Sequence, residues 1–286
     1  MEVVTFVEIA IDAVARGLLF ALLGAGITLV FGLGNVLNLS LGVFAVIGVV
    51  VASQEVLPLA PNAALAALAA VGAVAVLGLA TDRILLSSVY RSEGEERILL
   101  GIFATLGLAI MLDGLLFVYY PLSYSLPHGV PSQSLFGVGI RGSTVAIIAV
   151  ASVVLLALFV FLRKTTLGKA TRTVFQDETG AVLCGINPRR IRTLIFVLSV
   201  SLAGIAGLLW SVQSPVSAGN AFEFTIFAII VSIVGGVRNI EGTVAAGLGL
   251  GLLWTFGNYY IDAYQAMMLL FAVAVVVLVV RPEEIS

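Results

Sequence analysis

Charge is what this sequence has least of. Of its 286 residues, 10% are Asp, Glu, Lys or Arg, while 60% are hydrophobic. Soluble domains carry about 25% charged residues, and a mean hydropathy of +1.17 leaves too little polar surface to cover a globule. These shortages exclude a soluble enzyme, a nucleic-acid binder and a disordered chain. A single cysteine, Cys184, excludes a disulfide framework, and a single histidine, His128, excludes a multi-histidine metal cluster. His128 lies between prolines in SLPHGVP, with no nucleophile beside it, so no catalytic residue is expected. The phosphate-binding loop G-x-x-x-x-G-K-[ST] is missing too. Its nearest fragment, Gly168-Lys169-Ala170, has Arg163 where the first glycine is needed and no hydroxyl after the lysine. No cofactor or metal is implied.

What the sequence does have is apolar length. Apolar stretches lie near 13–33, 39–57, 62–81, 98–119, 143–162, 192–212, 223–237, 243–257 and 265–280. At about 20 residues per crossing, the chain accommodates about eight or nine spans. The runs are apolar all round rather than alternating, which favours helices over barrel strands. The stretches 223–237 and 243–257 are short and read as half-helices or one re-entrant hairpin. The start, MEVVTFVEIAID, is acidic and lacks the basic opening of a secretory signal. It reads as an uncleaved first span with its N-terminus outside; an interfacial helix followed by a span at Arg16 is the alternative. The expected fold is an all-α polytopic membrane protein, one transmembrane domain over 1–286, with broken or re-entrant segments and two pseudo-repeated halves.

Two loops hold ten of the fourteen basic residues: Arg83, Arg91 and Arg97 in 82–97, and Arg163, Lys164, Lys169, Arg172, Arg189, Arg190 and Arg192 in 163–192. The positive-inside rule places both in the cytoplasm. Alternation then puts Arg238 and Arg281 inside, and Glu55, Glu223, Asp262 and the 120–142 loop outside. Tyr119, Tyr120, Tyr124, Tyr259 and Tyr260 fall at the outer ends, as an interfacial belt does. Within the spans, Asp113 is the one ionisable residue singled out, and it has no sequence neighbour with which to relay a proton.

The apolar pattern breaks twice. Residues 31–42, FGLGNVLNLSLG, are polar without charge, a poor aqueous loop and a candidate broken helix at membrane depth. Residues 235–242, GGVRNIEG, are glycine-rich, and Arg238 and Glu241 also suit an aqueous turn. Paired breaks in two halves point to a translocation path between repeats. Gly247 and Gly251 have the small-xxx-small spacing of close helix packing. In the large basic loop, helical spacing of Ala170, Val174 and Ala181 or Val182 predicts a short, weakly amphipathic helix near 170–184, with Cys184 on its apolar side. Gly185 suits its C-terminal stop, and Asn187-Pro188 the start of the next span.

The run TLGKATRTVFQDETGAVLCGINPRR resembles the cytoplasmic loop of ABC permeases for branched-chain amino acids. The shared pattern is Gly168-Lys169-Ala170, Arg172, Asp177, Ala181 and Gly185-Ile186-Asn187. Asn38-Leu39-Ser40-Leu41-Gly42 resembles the family's first-half segment, with Leu41 where histidine is common. Residues 226–251 resemble a later glycine-rich segment, with Arg238 and Asn239 at positions usually Gly and Ser.

The resemblance implies a permease subunit of an ATP-driven importer in the plasma membrane, moving branched-chain or related amino acids inward. Its implied partners are two ATPase subunits, a second permease (identical or paralogous), an extracytoplasmic binding protein, a small-molecule substrate and membrane lipid, without nucleic acid. The loop helix would couple to the ATPase through Arg172, Gln176, Asp177, Glu178, Thr179, Ala181 and Gly185. Asn35, Asn38, Ser40, Gly42, Gly235 and Gly236 would line or flex the path. Sugar, nucleoside or urea and amide transport within the superfamily is the alternative, and a stand-alone carrier a more distant one.

Overall fold

A computed structural model describes residues 2–34, 36–59, 61–92, 94–127, 129–135 and 138–280. Asn35, His128 and Arg281, named above, lie outside the described residues. Helix α1 (Glu2–Gly34) leads through 36–40 into α2 (Leu41–Val50), which continues as a π-helix over Val51–Val56. Helix α3 (Ala63–Thr81) likewise continues through a π-helical turn, Asp82–Leu86, into the short α4 (Ser87–Val89). Then come α5 (Gly94–Tyr119), a two-stranded antiparallel ribbon of β1 (Gln133–Leu135) and β2 (Val138–Ile140), and α6 (Gly142–Lys164). The basic loop forms α7 (Thr166–Gln176) and α8 (Glu178–Leu183). The chain closes with α9 (Pro188–Gln213), α10 (Asn220–Gly235), α11 (Ile240–Tyr260) and α12 (Ala263–Val280).

Helix starts follow the sequence closely. Asn62, Thr165, Asn187 and Asn239 each accept a backbone N–H of the first turn that follows, at 3.0, 3.0, 3.3 and 3.0 Å. Such side chains satisfy donors that have no intrahelical partner. Pro188 occupies the first turn of α9, where no N–H is missed.

Among the described residues, seven helices are long and apolar enough to cross a membrane, and two shorter apolar ones, Leu41–Val56 and Asn220–Gly235, accompany them. This corrects the sequence reading. The region 243–257 belongs to a 21-residue helix of crossing length, and the short partner of 223–237 is 39–57.

The element order repeats. The helices α1, α2, α3 and α5 match α9, α10, α11 and α12: a long helix, an irregular stretch, a short helix, then two long ones. Packing follows the same exchange. Helix α1 lies on α11 as α9 lies on α3; α1 meets α10 as α9 meets α2; α2 meets α10 and α1 meets α9. Because α6 crosses once between the halves, the second half runs in the opposite direction, which makes the repeat inverted. The counterpart of the 36–40 break is therefore 214–219, SPVSAG, and 235–242 is the turn between α10 and α11. Pairing the two glycine-rich breaks misaligned the halves by one helix.

Helices α1 and α9 are the buried spans, and α3, α5, α6, α11 and α12 keep most of their surface outward. The centre closes through small residues. A Cβ on Gly251 would lie 2.2 Å from Gly17 Cα, and one on Gly247 2.6 Å from Ala21 N, so α1 and α11 touch backbone to backbone. Around them pack Phe20, Phe227, Phe224 and Trp210, whose rings lie 4.8 Å apart in the pairs Phe20–Phe227 and Trp210–Phe224.

Candidate translocation site and coupling element

The irregular 36–40 stretch is enclosed by protein, and its polar atoms are held individually. Leu39 N–H donates to Thr105 Oγ1 at 3.0 Å, and Gly42 N–H donates to Thr225 Oγ1 at 3.0 Å. Asn38 Oδ1 accepts from Ser40 N–H at 3.1 Å and from the Ser40 hydroxyl at 2.6 Å. Non-helical backbone at membrane depth requires such partners. Asn38 and Ser40 are fully buried, and Asn38 Nδ2 has no partner among the described residues. Their observed work is to hold the bend, while their neighbours Leu39 and Val43 line a cavity.

That cavity, about 260 Å³, lies between α5, α10 and the start of α2. Its walls are Leu39, Val43, Leu106, Ile110, Ile226 and Ile229, and its polar groups are Asp113 and Thr225. Asp113 Oδ1 has no hydrogen-bond partner among the described residues. The starts of the two short helices meet here: a Cβ on Gly42 would lie 1.9 Å from Ala221 O. Only glycine permits that approach.

Gly235 and Gly236 lie elsewhere, at the α10–α11 turn. Gly236 has φ +89°, and a Cβ on Gly235 would lie 2.3 Å from Thr243 Cα. The turn is tight and packed, and neither glycine touches the cavity. Near it, Thr28 Oγ1 sits 2.8 Å from both Ser232 and Thr243 hydroxyls, a buried knot of α1, α10 and α11. Sequence reasoning missed this knot, since isolated hydroxyls in apolar runs carry no pattern. Arg16, which the sequence offers only as the start of an alternative first span, stands within α1 with its guanidinium 4.2 Å from the centre of the Trp210 ring. Asp113 is thus not the sole charge at membrane depth.

On the other face, the basic loops converge. Thr193 donates to Asp82 Oδ2 at 2.6 Å, and Arg192 lies 5.2 Å from the Tyr90 ring centre, so 82–97 and 163–192 share one end of the bundle. Glu55–Tyr120 and Asp12–Arg141 mark the opposite end. Burial pushes the Tyr90 phenol up, keeping it neutral beside Arg192.

The single helix expected near 170–184 is two. Backbone φ −151° and ψ 105° at Asp177 end α7 and start α8. Helix α7 is strongly two-faced: Gly168, Thr171 and Val174 face inward, while Arg172 and Gln176 face out. Gly168 makes the α6–α7 corner possible, since a Cβ there would lie 2.2 Å from Phe161 O. Phe175 rests on Gly32 of α1, which ties α7 to the buried span.

Helix α8 is anchored by Ala181, fully buried, and by the ion pair of Glu178 with the buried Arg192. Ala181 therefore fastens the element and touches nothing outside. Asp177, Glu178 and Thr179 remain exposed. Gly185, at φ +79°, takes the left-handed conformation that ends α8, and Asn187 caps α9, as the sequence predicts. Cys184 is exposed, contrary to the packing role expected. Beside it Val182 and Leu183 are 54% and 84% exposed, an apolar edge on a polar face.

An inverted-repeat helical bundle with a basic helical element at one end is the architecture of a multi-pass membrane transport protein. The chain belongs to the family described as branched-chain amino acid transport system / permease component, whose model matches residues 9–280. It is 26% identical to the high-affinity branched-chain amino acid transport system permease LivH of Salmonella typhimurium, over 98% of this chain and 95% of that one. It is 27% identical to BraD of Pseudomonas aeruginosa, over 99% and 96%. A ribose import permease, RbsC of Escherichia coli, is 28% identical over 89% of this chain and 81% of its own. No solved structure matches.

Proposed function

We propose that this chain is the transmembrane permease domain of an ATP-driven importer that carries branched-chain or related amino acids inward. ATP is hydrolysed on separate subunits. One observation carries the reading beyond family membership: α8 is bolted to the bundle by Ala181 and Glu178–Arg192, yet offers Val182 and Leu183 outward. An exposed apolar edge on an anchored helix is a docking feature. Helix α7, which leads directly into α8, rests on α1 through Phe175 on Gly32. The partners are two ATPase subunits, a second permease and an extracytoplasmic binding protein.

The α5–α10 cavity supports an aliphatic amino acid over a sugar. Its walls are branched apolar side chains, and Asp113 supplies one acceptor for an ammonium group. A polyol leaves several hydroxyls unpaired in such a site, which is costly. The ribose permease among the relatives keeps sugar transport as the second reading.

The test is affinity purification of the tagged chain in mild detergent, with leucine uptake measured in the same cells. The expected result is recovery of an ATPase carrying a phosphate-binding loop. Val182→Asp with Leu183→Asp then loses the ATPase and at least about 90% of uptake, a partner-edge effect of hot-spot size. Normal uptake by that variant at wild-type abundance rejects α8 as the docking element. Uptake of ribose in place of leucine selects the second reading.

A further inference from the structure

A groove of about 730 Å³ runs down the outside of the bundle at its basic end, between α3 and α9. Two stripes at helical spacing form it: Val76, Leu79 and Arg83 on one side, Arg190, Leu194 and Val197 on the other. A Cβ on Gly78 would meet the Val200 side chain, so the bare glycine lets α9 lie this close to α3. The apolar part opens outward, since Val76 is 67% and Leu79 40% exposed. Both belong to the crossing segment Ala63–Val89, and Val76 lies two turns inside Arg83. Arg83, Arg189 and Arg190 crown the groove. All three are exposed, and their side chains make no ion pair or hydrogen bond among the described residues. The carboxylate beside them is Asp82, 4% exposed, which accepts from the Thr193 hydroxyl at 2.6 Å and interacts with Arg83 and Arg189. Three cations against one buried carboxylate leave the groove positive.

We propose that this groove binds an anionic phospholipid, with its phosphate under the three arginines and the start of an acyl chain along Val76 and Val197. The charge balance selects an anion rather than a zwitterion, because an ammonium group would find only Asp82, which is buried. The outward apolar stripe selects a lipid over a soluble phosphate, which has no apolar part to lay on it. By the positive-inside rule this end is cytoplasmic, where basic clusters beside spans attract anionic headgroups. The groove has room for a headgroup and upper chain carbons, not a whole lipid. A second copy of this chain fits less well. A two-fold contact would set these arginines against themselves, and neither stripe carries a carboxylate to meet them. The bound lipid ties the end of α3 to the start of α9, one helix from each half of the repeat.

The experiment is thermal unfolding of the delipidated full chain in neutral detergent, titrated with dioleoyl-phosphatidylglycerol, dioleoyl-phosphatidylcholine or glycerol 3-phosphate. Native mass spectrometry counts retained lipids and associated chains. Phosphatidylglycerol is expected to raise the melting temperature and to stay bound, and the other two are not. Arg83→Gln with Arg190→Gln, one change on each helix, weakens its apparent affinity at least about tenfold. Arg83→Lys with Arg190→Lys stays within about threefold of wild type, so loss in the glutamine pair reports charge rather than damaged folding. Arg91→Gln with Lys169→Gln removes the same charge from exposed positions at the same end, outside the groove, and leaves the affinity unchanged. Equal loss in that control pair, or undiminished binding by the groove pair, overturns the site. Equal protection by glycerol 3-phosphate overturns the lipid assignment in favour of a soluble phosphate. Protection that follows pairing of two chains rather than bound lipid overturns it in favour of a second copy.

Discussion

The two irregular stretches that open the short helices occupy matching places in the two halves, yet they are satisfied differently. Residues 36–40 lie inside the bundle and borrow hydroxyls from distant helices, Thr105 of α5 and Thr225 of α10. Residues 214–219 lie at the rim, where Val216 exchanges two backbone hydrogen bonds with Tyr124, both 2.8 Å. Ser217 N–H donates to Asn220 Oδ1 at 2.9 Å, a local bond. A break in the centre has no loop or water to call on, so it depends on side chains from both halves. A break at the edge can use a neighbouring loop's backbone. The inverted repeat is thus symmetric in path and asymmetric in what holds it.

The sharpest way to break the comparison is Gly42→Val. A Cβ there falls 1.9 Å from Ala221 O and 2.6 Å from Thr225 Oγ1, so α2 and α10 must part. The expected cost is about 3 kcal/mol or more, seen as loss of the monodisperse peak in fluorescence-detected size exclusion. A normal peak and melting temperature mean that the helix starts do not meet as described.

Thr225→Val keeps the shape and removes the acceptor of Gly42 N–H. Burying that donor unpaired costs about 1–2 kcal/mol, and a lowered melting temperature in detergent measures it. Thr105→Val, which strands Leu39 N–H, falls in the same range. No shift in either variant shows that another group reaches the break.

Asn220→Ala in the second half carries the smallest effect, about 0.5–1 kcal/mol, because the Tyr124–Val216 bonds persist. If it proved as damaging as Thr225→Val, the asymmetry between the halves would be wrong.

Much of the frame was legible in the chain. Run lengths identified the spans, and Asn187-Pro188 and Gly185 behave as caps because capping is chemistry between residues three or four apart. Clustered Arg and Lys marked one face, and the two basic loops do meet there. The candidate pathway was less legible. Asn38, Ser40 and Gly42 do lie at a break enclosed by protein, but the cavity belongs to Leu39, Val43 and Asp113, one residue off or on another helix. Gly235 and Gly236 carry the composition of a break and the geometry of a turn.

The sequence by itself determined that this is a helical membrane protein of its family, where most helices begin, and which end carries the positive charge. These follow from hydropathy, local capping and charge counts, which need no partner far along the chain. Tertiary structure alone decided that 36–40 pairs with 214–219, that Ala181 faces in while Leu183 faces out, and that Thr105 and Thr225 close the central break. In a uniformly apolar chain no polar face tells a helix which side to bury, so side-by-side packing of glycines and hydroxyls supplies the direction that periodicity lacks.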